Sequence, residues 1–100
     1  MSGLTITARQ RSQLKARAHA LEPVVFVGNA GLTDKVAAEI DRALTAHELI
    51  KVKVPEPDRR LRDEMCDAIA SRAAAAAVQR VGKVLVLWRP RPDDTNENAD

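Results

Sequence analysis

Hydrophobic and polar positions divide the chain into seven short periodic stretches, punctuated mainly by prolines and glycines. The first runs from Thr7 to about Ala18 without Gly or Pro, and Gln10 stands three residues after Thr7 in the form of a capping box, which predicts a helix. Leu14, Ala18 and Leu21 fall on one side at helical spacing, while Arg11, Lys15 and His19, each four residues apart, form a basic ridge beside them. Pro23 ends this helix. Val24-Val25-Phe26-Val27 then carries no polar residue, the pattern of a strand buried on both faces. After Gly28-Asn29-Ala30-Gly31, Thr33 caps a second helix whose Val36, Ile40, Ala43 and Leu44 recur at the spacing of a buried face, with Asp34 in the first turn and His47 closing the stripe and capping the end.

From Ile50 onward the chain alternates strictly: Ile50, Val52 and Val54 face one way and Lys51 and Lys53 the other, so a half-exposed strand with a basic outer face is expected over 49–54. Pro55 and Pro57 make a stiff turn. Asp58 caps a third helix marked by Leu61, Met65, Ala68, Ile69 and the stem of Arg72, and its boundary falls near Ala74 inside an alanine run. A strand over Val78–Val81 follows, and the two-residue Gly82-Lys83 connection to Val84–Trp88 reads as an antiparallel hairpin. The expected fold is a single α/β domain, α+β-like, in the order α-β-α-β-α-β-β over residues 1–92, followed by an acidic tail at 93–100 too poor in apolar residues to order itself.

Composition sharpens the picture. The apolar fraction is 45%, but Phe26 and Trp88 are the two aromatic residues, so the core rests on aliphatic side chains and a ring-lined small-molecule pocket is not expected. The net charge of +2 hides an asymmetry: Asp93, Asp94, Glu97 and Asp100 crowd the end, and with these four set aside 16 basic residues face ten acidic ones. Such an excess suits a polyanionic partner or a solvated surface. Cys66 has no partner for an internal disulfide, and no apolar run at the N-terminus is long enough for a leader or a membrane span, which points to the cytoplasm.

A catalytic reading finds little support. His19 and His47 have no acid, nucleophile or ligand partner at a telling spacing, and on a helix Cys66 turns away from Glu64 and Asp67, so neither an enzyme centre nor a metal or other cofactor is expected. Trp88 suits packing better than base stacking. Arg80, Lys83, Arg89 and Arg91 either extend a basic surface or keep a strand edge soluble, and the sequence leaves both roles open.

The chemistry centres on the GNAG loop. Lying between a strand and a capped helix, such a loop admits a phosphate oxygen to its main chain, because glycine lacks a Cβ and the first helical amides are free to donate. The plain alternative is a turn that needs glycine for geometry alone. The Arg11–Lys15 ridge and the Lys51–Lys53 strand face favour the phosphate reading, which makes Gly28, Asn29, Ala30, Gly31, Thr33, Arg11, Lys15, His19, Lys51, Lys53 and Lys83 the candidate RNA contacts. About five phosphate contacts predict that log affinity falls with log salt at a slope between roughly −3.5 and −4.5. The rival is a protein-interaction module that docks an acidic partner on the same basic face, with the loop purely structural.

The order of motifs is itself distinctive: Leu14-Lys15, Ala18-His19, Pro23-Val24-Val25, Gly28-Asn29-Ala30-Gly31-Leu32-Thr33, His47 to Lys53 reading HELIKVK, and Val81-Gly82-Lys83 leading to Leu87-Trp88-Arg89-Pro90. Over roughly residues 5–91 the chain resembles the stand-alone bacterial CRM domains of the YhbY-like family. The resemblance implies a four-stranded mixed sheet packed with helices, similar to the C-terminal domain of translation initiation factor 3. It also implies binding to ribosomal RNA of large-subunit precursors through the GxxG loop; a non-enzymatic, monomeric protein without membrane or small-molecule substrate is the accompanying expectation. Many family members carry a lysine inside that loop. Here Asn29 and Ala30 stand there, leaving main-chain amides and the neighbouring Arg11, Lys15, Lys51 and Lys53 to make the contact.

Overall fold

A computed structural model describes residues 4–91, so the acidic stretch at 93–100 lies outside the described residues. Three helices and four strands follow one another as α1 (Ala8–Ala18), β1 (Pro23–Phe26), α2 (Asp34–His47), β2 (Leu49–Lys53), α3 (Arg59–Ala73), β3 (Ala76–Val81) and β4 (Val84–Trp88). Each helix starts where its cap predicts: Thr7 and Gln10 form a reciprocal capping box, the Thr33 hydroxyl accepts from the Val36 amide, and the Asp58 carboxylate accepts from the Arg60 and Leu61 amides. The strands form one mixed sheet in the order β1-β2-β4-β3, with β1 parallel to β2 and the other pairs antiparallel. The parallel pair is joined through α2, as a crossover connection requires.

Alternation along the strands splits the core between the two faces of this sheet. Ile50, Val52 and Val54 of the β2 segment, with Leu85 and Leu87 of β4, meet Ile40 and Leu44 of α2 and Cys66, Ile69, Ala70 and Ala73 of α3. Leu49, Val86 and Trp88 point the other way and pack with Val78 against Leu14 and Ala18 of α1. The sheet is thus a middle layer, fully covered on the α2/α3 side and partly covered by α1 on the other. Trp88 is half-buried in the α1-side cluster, in line with the packing role expected of it.

Several expectations are corrected. β1 is not buried on both faces: Val25 and Val27 are, but Val24 is 52% and Phe26 64% exposed. The cause is position, because β1 is an edge strand paired with β2 alone, while α1 packs on β2, β3 and β4. Leu21 is exposed because the chain leaves the helix after Ala18, with its amide donating to the Ala18 carbonyl, and helical spacing no longer places it. The buried stripe of α3 is Cys66, Ile69, Ala70 and Ala73; Leu61 and Ala68 face solvent. His47 is exposed, and Glu48, at φ 65°, caps α2 with its amide on the Leu44 carbonyl. The alanine run divides at Ala74, which adopts a left-handed cap at φ 52°, so β3 begins at Ala76 and not at Val78.

Candidate nucleic-acid interface

The GNAG loop leaves the sheet directly after Val27, whose amide donates to the Lys53 carbonyl at 2.9 Å. Inside the loop the Gly31 amide donates to the Gly28 carbonyl at 3.0 Å, and the Thr33 amide donates to the Gly31 carbonyl at 3.0 Å. Gly31 sits at φ +75°, where a side chain is strained, so this glycine is demanded by the turn. Gly28 has no positive φ, and a Cβ built there would meet nothing within 4 Å, so neither conformation nor crowding within the chain requires it. The main-chain amides of Asn29 and Ala30 donate to no carbonyl among the described residues. One side of the loop closes on Pro55, Glu56, Pro57 and Met65, and the Glu56 carboxylate accepts from the Asp58 amide at 3.0 Å. The start of α2 already holds an anion in Asp34, which pairs with Arg72 at 2.6 Å, so the amides of the loop offer an anion more than the helix terminus does.

The expected basic residues divide into groups once placed. Arg11 is half-buried, and its guanidinium donates to the carbonyls of Ala77 at 2.8 Å and Val78 at 2.5 Å. Those carbonyls lie at the β-bulge between Ala77 and Gln79 of β3, so Arg11 ties α1 to the irregular part of this edge strand. Lys51 donates to the Leu21 carbonyl at 2.8 Å and so ties the α1–β1 connection to the sheet. It also lines a shallow cleft with Lys15, His19, Gln79, Val81 and Val84. Lys15, Lys53 and Lys83 have no carboxylate partner among the described residues.

Strand register brings part of this set to one end of the sheet. Phe26 pairs with Lys53, Lys53 with Val84, and Val84 with Val81, forming a single row across all four strands on the face that α1 occupies. α1 covers the rows around Leu49, Val86 and Trp88 and leaves this one open: Val81 is 55% exposed, and Lys53 and Val84 are half-exposed. The GNAG loop begins two residues beyond Phe26, and the Lys83 carbonyl accepts from the Val54 amide at 2.7 Å, so loop, row and hairpin turn are neighbours. Phe26 is the feature that sequence reasoning missed. An all-apolar tetrapeptide does not announce an edge position, which depends on where β2 and α1 lie.

Arg80, Arg89 and Arg91 are committed elsewhere. Arg80 pairs with Asp63 at 3.4 Å and with Asp67, Arg91 with Glu48 at 3.2 Å, and Arg89 reaches Asp41 at 2.9 Å and the Ala73 carbonyl at 2.8 Å. Of the four cations whose role the sequence left open, the arginines are structural and Lys83 faces solvent. Cys66 is buried in the α3 stripe, and that burial, opposed by Arg80, pushes its thiol pKa up. No group of three or more His, Cys, Asp or Glu among the described residues is placed to hold a metal ion, and no helix among them is long and apolar enough to cross a membrane.

Comparison with known proteins agrees with this architecture. A protein named RNA-binding protein from Haemophilus influenzae is 49% identical over 86 residues, covering 86% of this chain and 87% of its own. A Bacillus subtilis protein named as a probable RNA-binding protein is 32% identical over 84 residues, covering 84% of this chain and 88% of its own. The solution structure of a Staphylococcus aureus protein, described as a candidate RNA-binding protein, superposes with a TM-score of 0.77 at 27% identity, over 86% of this chain and 90% of that one. Residues 6–89 match the model of the CRS1/YhbY (CRM) domain, and the chain therefore belongs to the CRS1/YhbY (CRM) domain family.

Proposed function

We propose that this protein binds structured RNA, specifically ribosomal RNA of the large-subunit precursor, through the GNAG loop and the lysines around the open end of the sheet, and catalyses no reaction. The observation that carries the reading is the conjunction of Gly28, whose outer side is unobstructed, with Lys53 and Lys83 at the same end of the sheet and Lys15 and Lys51 along the adjoining cleft. Main-chain amides at Asn29 and Ala30 hold one phosphate, and the lysines flank it along the backbone. Contacts of this kind read charge and shape more than base sequence. The names of the relatives from Haemophilus and Bacillus support RNA as the ligand class. The protein acts as a monomeric, single-domain cytoplasmic factor in this reading.

The test is binding of a labelled large-subunit ribosomal RNA fragment by the native chain and by the double change Asn29→Asp, Ala30→Asp, both checked for folding by circular dichroism. Two carboxylates beside the amides repel phosphate, so affinity is expected to drop by more than tenfold in a folded variant. Unchanged affinity places the phosphate site elsewhere. Partners that survive complete nuclease digestion in a pull-down favour the protein-docking alternative.

A further inference from the structure

We infer that Phe26 is a stacking platform for one unpaired nucleobase, whose flanking phosphates lie on Lys53 and the GNAG amides. The inference rests on the RNA-binding reading and adds what kind of RNA the site takes. Phe26 is one of two aromatic side chains in the sequence, and at 64% exposure its ring contributes little to the core. With Val81 at 55% exposure and Val84 half-exposed in the same row, the ring belongs to an open apolar strip, the kind of patch that marks an interaction surface. Its surroundings name the partner. In the row Phe26, Lys53, Val84, Val81 no side chain is acidic, and the adjoining cleft adds Lys15, His19 and Lys51, again without a carboxylate. An apolar strip rimmed by cations suits a ligand that is flat and apolar at its centre and anionic along its edge, which describes a nucleotide in a single-stranded segment.

Geometry supports the pairing of ring and phosphate site. Adjacent strands lie about 4.8 Å apart, so the backbones of Lys53 and Phe26 stand one strand spacing from each other. The first glycine of the loop follows two residues later, within reach of the phosphate next to a stacked base. A fully paired A-form helix hides its base faces, so the target is a loop, bulge or strand end. Stacking of this kind tolerates any base, and its loss weakens binding by roughly five- to a hundred-fold.

The experiment compares two labelled RNAs by fluorescence anisotropy: a large-subunit ribosomal RNA hairpin with its single-stranded loop, and the same stem as a blunt duplex. Native protein, Phe26→Ala, Phe26→Leu and Phe26→Trp are each titrated after thermal unfolding shows that they fold. The expected result is a loss of fivefold or more on the looped RNA for Phe26→Ala and Phe26→Leu, a change under twofold on the duplex, and retention by Phe26→Trp. If the native chain binds both RNAs and Phe26→Ala binds them equally well, stacking is wrong while the RNA reading stands. Leucine binding as well as phenylalanine replaces stacking with plain apolar contact and also overturns the inference. If the native chain binds neither RNA, the RNA reading itself fails. A native dimer in sedimentation that Phe26→Ala dissociates makes the face a subunit interface and overturns stacking as well.

Discussion

Gly28 and Gly31 bracket one loop and are glycine for different reasons. Gly31 is held at φ +75° by the turn it closes, so Gly31→Ala is expected to cost about 1–2 kcal/mol of stability in urea unfolding. Gly28 meets no such demand. Gly28→Ala should leave stability unchanged or raise it by up to about 1 kcal/mol through the unfolded chain, while a Cβ on the outer surface weakens RNA binding. Equal loss of stability in both variants would mean that Gly28 is needed for the fold. Cys66 carries a second residue-scale expectation. Burial favours its neutral thiol, so the unfolded chain releases the proton first as pH rises. The associated stability is intact at neutral pH and declines as pH climbs past the ordinary thiol value of about 8.5 toward the raised value in the fold. Unfolding followed between pH 7 and 10 should show this decline in the native chain and a flatter profile in Cys66→Ala.

Two arginines decide how the elements dock. Arg89 is 19% exposed at its side chain and donates to Asp41, to the Thr45 hydroxyl and to the carbonyls of Asp41 and Ala73, joining the end of β4 to α2 and α3. Arg89→Ala is expected to cost about 2–3 kcal/mol, and lysine, without the planar fork, should recover little of it. Arg11→Ala removes the contact of α1 with the β3 bulge, and hydrogen exchange should show α1 amides losing protection before those of α2. Neither role was legible from Arg11 or Arg89 in the sequence, since helical spacing put Arg11 on a ridge but not its target carbonyls 66 and 67 residues away. What could be read locally was read well. Caps at Thr7, Thr33 and Asp58 fixed three helix starts, alternation in 50–54 oriented β2, and Gly82-Lys83 marked the hairpin. What depended on neighbours was not, as with Phe26, whose strand turned out to be an edge.

At the scale of the whole molecule, charge is sorted by the fold. Around the open end of the sheet Arg80 pairs with Asp63 and Asp67 and Arg11 donates to carbonyls, which leaves Lys15, Lys53 and Lys83, with Lys51 shared between the Leu21 carbonyl and the cleft, as the cations of the proposed interface. Four phosphate contacts in place of five lower the expected salt slope to between roughly −2.8 and −3.6. Titrations with the ribosomal RNA fragment from low to high salt check this, and a slope near zero would exclude the lysine face. The sheet order has a further consequence, in time. β4 lies between β2 and β3, and the open row takes Phe26 and Lys53 from early in the chain but Val81 and Val84 from near its end. During synthesis, β2 waits with one edge unpaired until residue 88 has left the ribosome's exit channel. A nascent chain therefore lacks the complete row until β4 has paired with β2 on one side and β3 on the other.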